Sequence, residues 1–174
     1  MENIPILCGV PALAAEMQRG LDLSGFTSPV EMQFIIDAPP GFALSRCGSF
    51  ATQPTLVLTD NTCIEYLMDL RQAEPTALLA GGNGFENILA ALANVAVGES
   101  RYRGPELKSC LTHAERQILK NISTGRSDKE IAKKLDRSTK TVGNQISSVL
   151  NKLNLKNRTH AIFYYFALDH LRRY

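Results

Sequence analysis

Two hydrophobic patterns divide the chain. Up to about residue 98, short continuous apolar runs (Ile4 to Leu7, Met32 to Ile36, Thr55 to Thr59, Ala77 to Leu79) alternate with stretches of helical period, Ala12 to Leu21, Ile64 to Leu70 and Phe85 to Val97. Runs of this length fit strands covered on both faces, and their alternation with helices predicts a small α/β domain with a mostly parallel sheet. The stretch Asp37 to Gln53, with Pro39, Pro40 and two glycines, reads largely as loop. Residues 99–110 combine charge, a Gly-Pro step and weak periodicity, which marks a linker.

Beyond the linker the pattern is wholly helical. Thr112 followed three residues later by Glu115 is a capping-box signature, and Ile118, Leu119 and Ile122 then share a face. Ser127 and Glu130 repeat the signature ahead of Ile131, Ala132 and Leu135, a helix of about two turns. Ser138 can cap a third helix, in which Val142, Ile146, Val149, Leu150 and Leu153 form one apolar stripe. A last helix from about Arg158 carries Ile162, Phe163, Tyr164, Tyr165, Phe166, Leu168 and Leu171. Residues 111–174 are thus expected to form an all-α four-helix domain, and residues 1–98 the α/β domain.

Charge follows the same division. Up to Gly104 there are eleven acids against five arginines and no lysine; from Pro105 onward fourteen Lys and Arg oppose six acids, and all eight lysines fall there. A basic domain of about 70 residues beside an acidic one points to a polyanionic partner for the basic half, although a merely solvated basic surface gives the same sum. A two-turn helix, a short break and a longer helix with a polar outer face are the parts of a helix-turn-helix, whose second helix enters the DNA major groove. Lys140, Gly143, Asn144, Ser147 and Asn151 lie on that outer face. Asn144 has the paired donor and acceptor that suit adenine, and Gly143 would let the backbone approach a base pair closely. Lys129, Lys133, Lys140 and Lys152 are candidate phosphate contacts.

The run from Leu111 to Arg158, LTHAERQIL followed by GRSDKEIAKKLDRSTKTVGNQISSVLNKLNLKNR, resembles the C-terminal DNA-binding domain of the LuxR/FixJ/NarL family of bacterial transcription regulators. The resemblance implies that the third helix reads bases through Gly143, Asn144 and Ser147, that Lys129, Lys140 and Thr141 touch the DNA backbone with Ser127 and Ser138 in the same DNA-facing set, and that the fourth helix dimerises. It also implies a pair between Glu115 and Arg158 across the bundle. The family's usual basic residue is absent at Gly143, its histidine at Gln145 and a frequent basic residue near Ser147, so base readout is expected to be this chain's own. Ala114 stands where the family often has arginine.

In that family the preceding domain is often a phosphate-accepting receiver, and PTLVLTD, Pro54 to Asp60, resembles the receiver strand that ends in the acceptor aspartate. Phosphoryl transfer to Asp60 would need Mg²⁺, held by an acidic pair after the first strand, and a charge-stabilising lysine. No acid lies near Cys8, Gly9 and Val10, and no lysine precedes Lys108. Only Ala80 to Gly84 separate the run Ala77 to Leu79 from the helix at Phe85, where a receiver has room for another helix and strand. The expectation is a truncated pseudo-receiver with Asp60 as a vestigial phosphoacceptor position, no metal and no cofactor, used for homodimerisation. Signal binding at the GGNG loop, Gly81 to Gly84, is the weaker reading, since it lacks a GxGxxG spacing and suits a turn.

Other classes fare worse. No run approaches the length of a membrane span and the start lacks a basic signal segment, so the chain reads as cytoplasmic and nucleoid-associated when bound to DNA. Autoinducer sensors of the family use tryptophan, and this chain has none. Cys8, Cys47, Cys63 and Cys110 form no CxxC pair and read as buried free thiols. The three histidines, His113, His160 and His170, lie in or beside the basic domain without a nucleophile spacing, so an enzyme is not expected. The alternative to a DNA-binding dimer is an interaction protein that docks on, or heterodimerises with, another transcription regulator.

Overall fold

The computed structural model describes residues 4–168; Leu171 and His170 lie outside them. The chain divides into two units, residues 4–62 with 67–106, and residues 63–66 with 107–168.

The first unit is built on five parallel strands, β1 (Ile6–Cys8), β2 (Gln33–Ile36), β3 (Thr55–Thr59), β4 (Ala77–Ala80) and β5 (Arg101–Arg103). All four residues of β2 and of β4 are buried, which is why both read as mainly apolar runs rather than alternating ones, the one polar residue, Gln33, donating its amide to Thr55 Oγ1 at 2.7 Å. Side chains alternate across the sheet. Phe34, Ile36, Leu56, Ala77 and Leu79 form a core with Leu21 of α1 (Pro11–Ser24) and with Ile88, Ala91, Leu92 and Val95 of α4 (Phe85–Ala96). The alternate positions Ile35, Val57 and Leu78 are buried on the opposite face. The stretch read as loop holds one turn of helix, α2 (Phe42–Ser45), and a single 3₁₀ turn, Cys47–Ser49. Between β3 and β4 runs α3 (Ile64–Gln72).

Two features correct the sequence reading. The sheet is not short of a strand, because Arg101–Arg103, within the stretch read as linker, pairs with β4 in the register Ala77↔Arg101 and Leu79↔Arg103. The strands also follow chain order, β1-β2-β3-β4-β5, whereas the doubly wound flavodoxin-like order is 2-1-3-4-5. The strand beside β3 is therefore β2, and the acid at that strand end is Asp37.

The second unit contains α5 (His113–Ser123), α6 (Asp128–Leu135), α7 (Thr139–Lys152) and α8 (Arg158–Tyr165). Both capping boxes close: Thr112 and Glu115 exchange bonds of 2.9 and 3.3 Å, Ser127 and Glu130 bonds of 2.7 and 3.4 Å. Gly125, at φ +77, supplies the left-handed residue that turns the chain from α5 into α6. Ile118, Leu119, Ile122, Ile131, Val142, Val149, Ala161 and Tyr165 are buried and make the core of the bundle.

Candidate nucleic-acid interface

Helix α6 ends at Asp136, in the left-handed conformation (φ 51, ψ 56), where an aspartate is among the tolerated residues. Two residues later Ser138 caps α7, its Oγ accepting from the Thr141 N–H at 3.0 Å. The two helices are thus joined by Asp136, Arg137 and Ser138, and α7 lays Val142, Ile146 and Val149 into the bundle. Its other face carries Lys140, Asn144, Ser147 and Asn151, all exposed, at offsets 0, 4, 7 and 11. One straight polar strip of helix is therefore available for docking.

Gly143 lies on that strip, and nothing comes within 4 Å of where its Cβ would be. Packing does not ask for a glycine there, although a glycine inside a helix costs roughly 1 kcal/mol relative to Ala. Ser147 Oγ donates to the Gly143 carbonyl at 3.1 Å, which folds the hydroxyl down onto the helix and leaves this stretch of strip smooth. On α6, Lys129 and Lys133 are exposed, as is Ser127 at its cap.

Two cations serve the bundle instead. Lys152, one of the candidate phosphate contacts, places its Nζ 2.8 Å from Glu115 Oε2, while Ser148 Oγ donates to Glu115 Oε1 at 2.8 Å. The Lys152 ammonium first, and the Thr112 N–H next, hold the Glu115 carboxyl down at about 2. The expected Glu115–Arg158 pair does not form. Arg158 binds Asp128 at 2.5 Å and the Arg126 carbonyl, because it starts α8 beside the start of α6. Sequence reasoning also passed over Arg137, whose Nη1 donates to Gln145 Oε1 at 2.6 Å. The signal was present: Gln145 stands where the family's histidine is missing.

At the other candidate position, Asp60 is exposed at the end of β3. Asp37 is buried: its Oδ1 accepts from the Gly41 and Ala43 N–H groups at 3.1 and 2.9 Å, and its Oδ2 from Thr59 Oγ1 at 2.8 Å. Among the described residues no group of three or more His, Cys, Asp or Glu is arranged to hold a metal ion. The cysteines depart from the sequence expectation, since Cys47 and Cys110 are exposed, Cys8 is half-buried and only Cys63 is buried. Burial pushes the Cys63 thiol up to about 12. No helix among the described residues is long and apolar enough to cross a membrane.

Residues 109–165 match the bacterial regulatory proteins of the luxR family. A probable csgAB operon transcriptional regulatory protein of Salmonella typhimurium is 36% identical over 96 residues, covering 55% of this chain and 43% of that protein. The transcriptional regulatory protein DesR of Bacillus subtilis is 35% identical, covering 49% of this chain and 50% of its own. The match thus spans about half the length of these relatives. A structure of two RcsB dimers bound to two parallel DNAs covers 94% of this chain and 98% of its own, with a TM-score of 0.53 at 19% identity. This likeness extends over both units and shows the fold, a parallel α/β receiver-like domain followed by a helical helix-turn-helix domain.

Proposed function

We propose that this chain, whose residues 109–165 match the luxR family of bacterial regulatory proteins, is a transcription regulator that binds duplex DNA as a homodimer, without a phosphorylation step. The observation that carries the reading is the exposed strip of α7 from Lys140 to Asn151, free of large side chains at Gly143 and backed by a buried apolar stripe. Laid in the major groove, the strip sets the Asn144 amide against an adenine edge and lets the Gly143 backbone approach a base pair. Lys140, Lys129 and Lys133 take phosphates, with Ser127, Ser138 and Thr141 at the helix starts as polar contacts. Lys152 is left out of the phosphate set, because its ammonium is committed to Glu115. RcsB, with the same fold, binds DNA as dimers, and a dimer suits two half-sites about one helical turn apart or a multiple of it.

Independence from phosphorylation rests on the strand ends. Asp37, the acid nearest in sheet order to Asp60, spends its carboxylate on one hydroxyl and two backbone N–H groups. No lysine precedes Lys108 to stabilise a phosphoryl group.

Selection of bound duplexes from a random pool at about 0.15 M salt tests the reading, because specific binding must survive screening at that ionic strength. Recovery of an inverted repeat supports it; salt-sensitive binding without a motif favours docking on a partner regulator. Lys140→Ala is expected to weaken binding to every duplex and to lower the salt slope by about one, whereas Asn144→Ala relaxes preference at a single base pair. Gly143→Ala should stabilise α7 by about 1 kcal/mol in thermal unfolding, since its Cβ meets open space. The same methyl group weakens specific binding if the backbone closes on a base pair. Unchanged affinity in all three variants would sink the site.

A further inference from the structure

The turn between α6 and α7 carries a cation tied to an uncharged partner, Arg137 to Gln145. We propose that Arg137, positioned by Gln145, is a phosphate contact of the DNA interface. The inference rests on the reading of α7 as the groove helix and adds to it a residue outside the polar strip.

Arg137 is anchored at both ends. Its N–H bonds to the Ala132 carbonyl at 2.9 Å, which closes α6 behind the left-handed Asp136. At the tip of the side chain, Nη1 donates to Gln145 Oε1 at 2.6 Å, in the second turn of α7. Both residues are half-buried. A long side chain held in this way has little freedom left to lose when a ligand arrives. Its charge, in contrast, is unspent. Two other cations of the bundle are paired, Lys152 at 2.8 Å from Glu115 and Arg158 at 2.5 Å from Asp128. Gln145 gives Arg137 a neutral oxygen, and among the described residues no carboxylate lies within ion-pair distance of its guanidinium. The bond to Gln145 engages one Nη, which leaves most of the planar fork of N–H donors for an anion, and that fork fits phosphate oxygens two at a time.

Position on the helix decides which part of DNA this cation meets. Successive residues of a helix stand about 100° apart, so Gln145 lies on the flank of α7, between the exposed Asn144 of the strip and the buried Ile146 of the apolar stripe. A helix with its side chains is roughly 10 to 12 Å across and the major groove about 12 Å wide, so the helix fills the groove. The strip then faces the base edges, and the flanks face the sugar-phosphate walls. A guanidinium tied to Gln145 therefore meets a phosphate. Such a contact adds affinity and fixes the register of α7 in the groove without carrying sequence preference of its own.

Fluorescence anisotropy of the full chain on a mixed-sequence duplex of about 30 base pairs, over a salt series from about 0.05 to 0.2 M, tests the proposal. Arg137→Met keeps the apolar stem and removes the charge. It is expected to weaken binding about tenfold and to lower the salt slope by about one for each protomer bound. Arg137→Lys keeps the charge and loses the fork, so the slope holds while part of the affinity goes. Gln145→Leu keeps the charge and removes the tie, and is expected to weaken binding about threefold at an unchanged slope. A pair that only braced the turn would make Arg137→Met and Gln145→Leu equivalent, both with the wild-type slope, and that result overturns the proposal. Gln145→Leu with wild-type affinity overturns the positioning role. Lys140→Ala separates this inference from the reading beneath it. If Lys140→Ala lowers the slope and Arg137→Met does not, Arg137 is no contact and the groove reading stands; if neither lowers it, the groove reading fails and takes this inference with it.

Discussion

Asp37→Ala is expected to cost the N-terminal unit about 3 kcal/mol, and Asp60→Ala less than about 0.5 kcal/mol, although Asp60 is the residue that the strand motif singles out. The Asp37 side chain is buried, and its donors include two backbone N–H groups where α2 begins and the Thr59 hydroxyl. An alanine removes the acceptor of the Ala43 N–H and of the Thr59 hydroxyl, and bonds to a charged group count for more than neutral ones. The damage reaches further, because Thr59 Oγ1 in turn accepts from the Asn61 N–H at 3.1 Å, and Asp60 rides on the backbone between them. Asp37→Asn keeps one acceptor oxygen and is expected to cost about half as much. Hydrogen exchange of the β2 and β3 amides reads the effect in this unit alone. Asp60→Ala is also expected to leave DNA affinity unchanged; a loss there would restore a regulatory role to the exposed carboxylate.

The residues that sequence reasoning placed correctly are those whose signals are local. Both capping boxes, the Ser138 cap and the α7 stripe are spelled within a few residues of where they act, and the structure closes each of them. Strands β2, β3 and β4 were legible because burial on both faces fills them mainly with apolar residues. The strand β5 was not, since Arg-Tyr-Arg has no apolar pattern and becomes a strand only by pairing with β4 at the sheet edge. Strand order is equally nonlocal. Asp37 follows the second strand, not the first, and only the order β1-β2-β3 brings it beside β3. The partner of Glu115 was misassigned for a related reason: Ser148 and Lys152, one turn apart on α7, both face it, while Arg158 begins a helix that starts next to Asp128.

That network gives the second large effect. Glu115→Gln is expected to destabilise the C-terminal domain by about 2 kcal/mol at neutral pH, from a weakened cap and a lost charge, with screening at the exposed Lys152 end limiting the total. The pH dependence identifies the source. The folded state holds this carboxyl at about 2, below its ordinary 4.5, chiefly through the Lys152 ammonium. A depressed carboxylate contributes stability that is complete above about 4.5 and is lost as pH falls towards about 2. The stability gap between wild type and Glu115→Gln should therefore hold steady from neutral pH down to about 4.5, then close as the wild-type carboxylate protonates. Urea titrations at a series of pH values measure it. A gap that persisted undiminished at the acid end would mean that the side chain acts through shape and neutral hydrogen bonds. Lys152→Met should cost less, because the Lys152 side chain is 41% exposed against 10% for Glu115, and it should leave the salt slope of DNA binding where it was. Lys140→Ala should do the reverse, lowering the slope with little change in stability, since Lys140 is exposed and the Lys152 ammonium is already spent on a carboxylate.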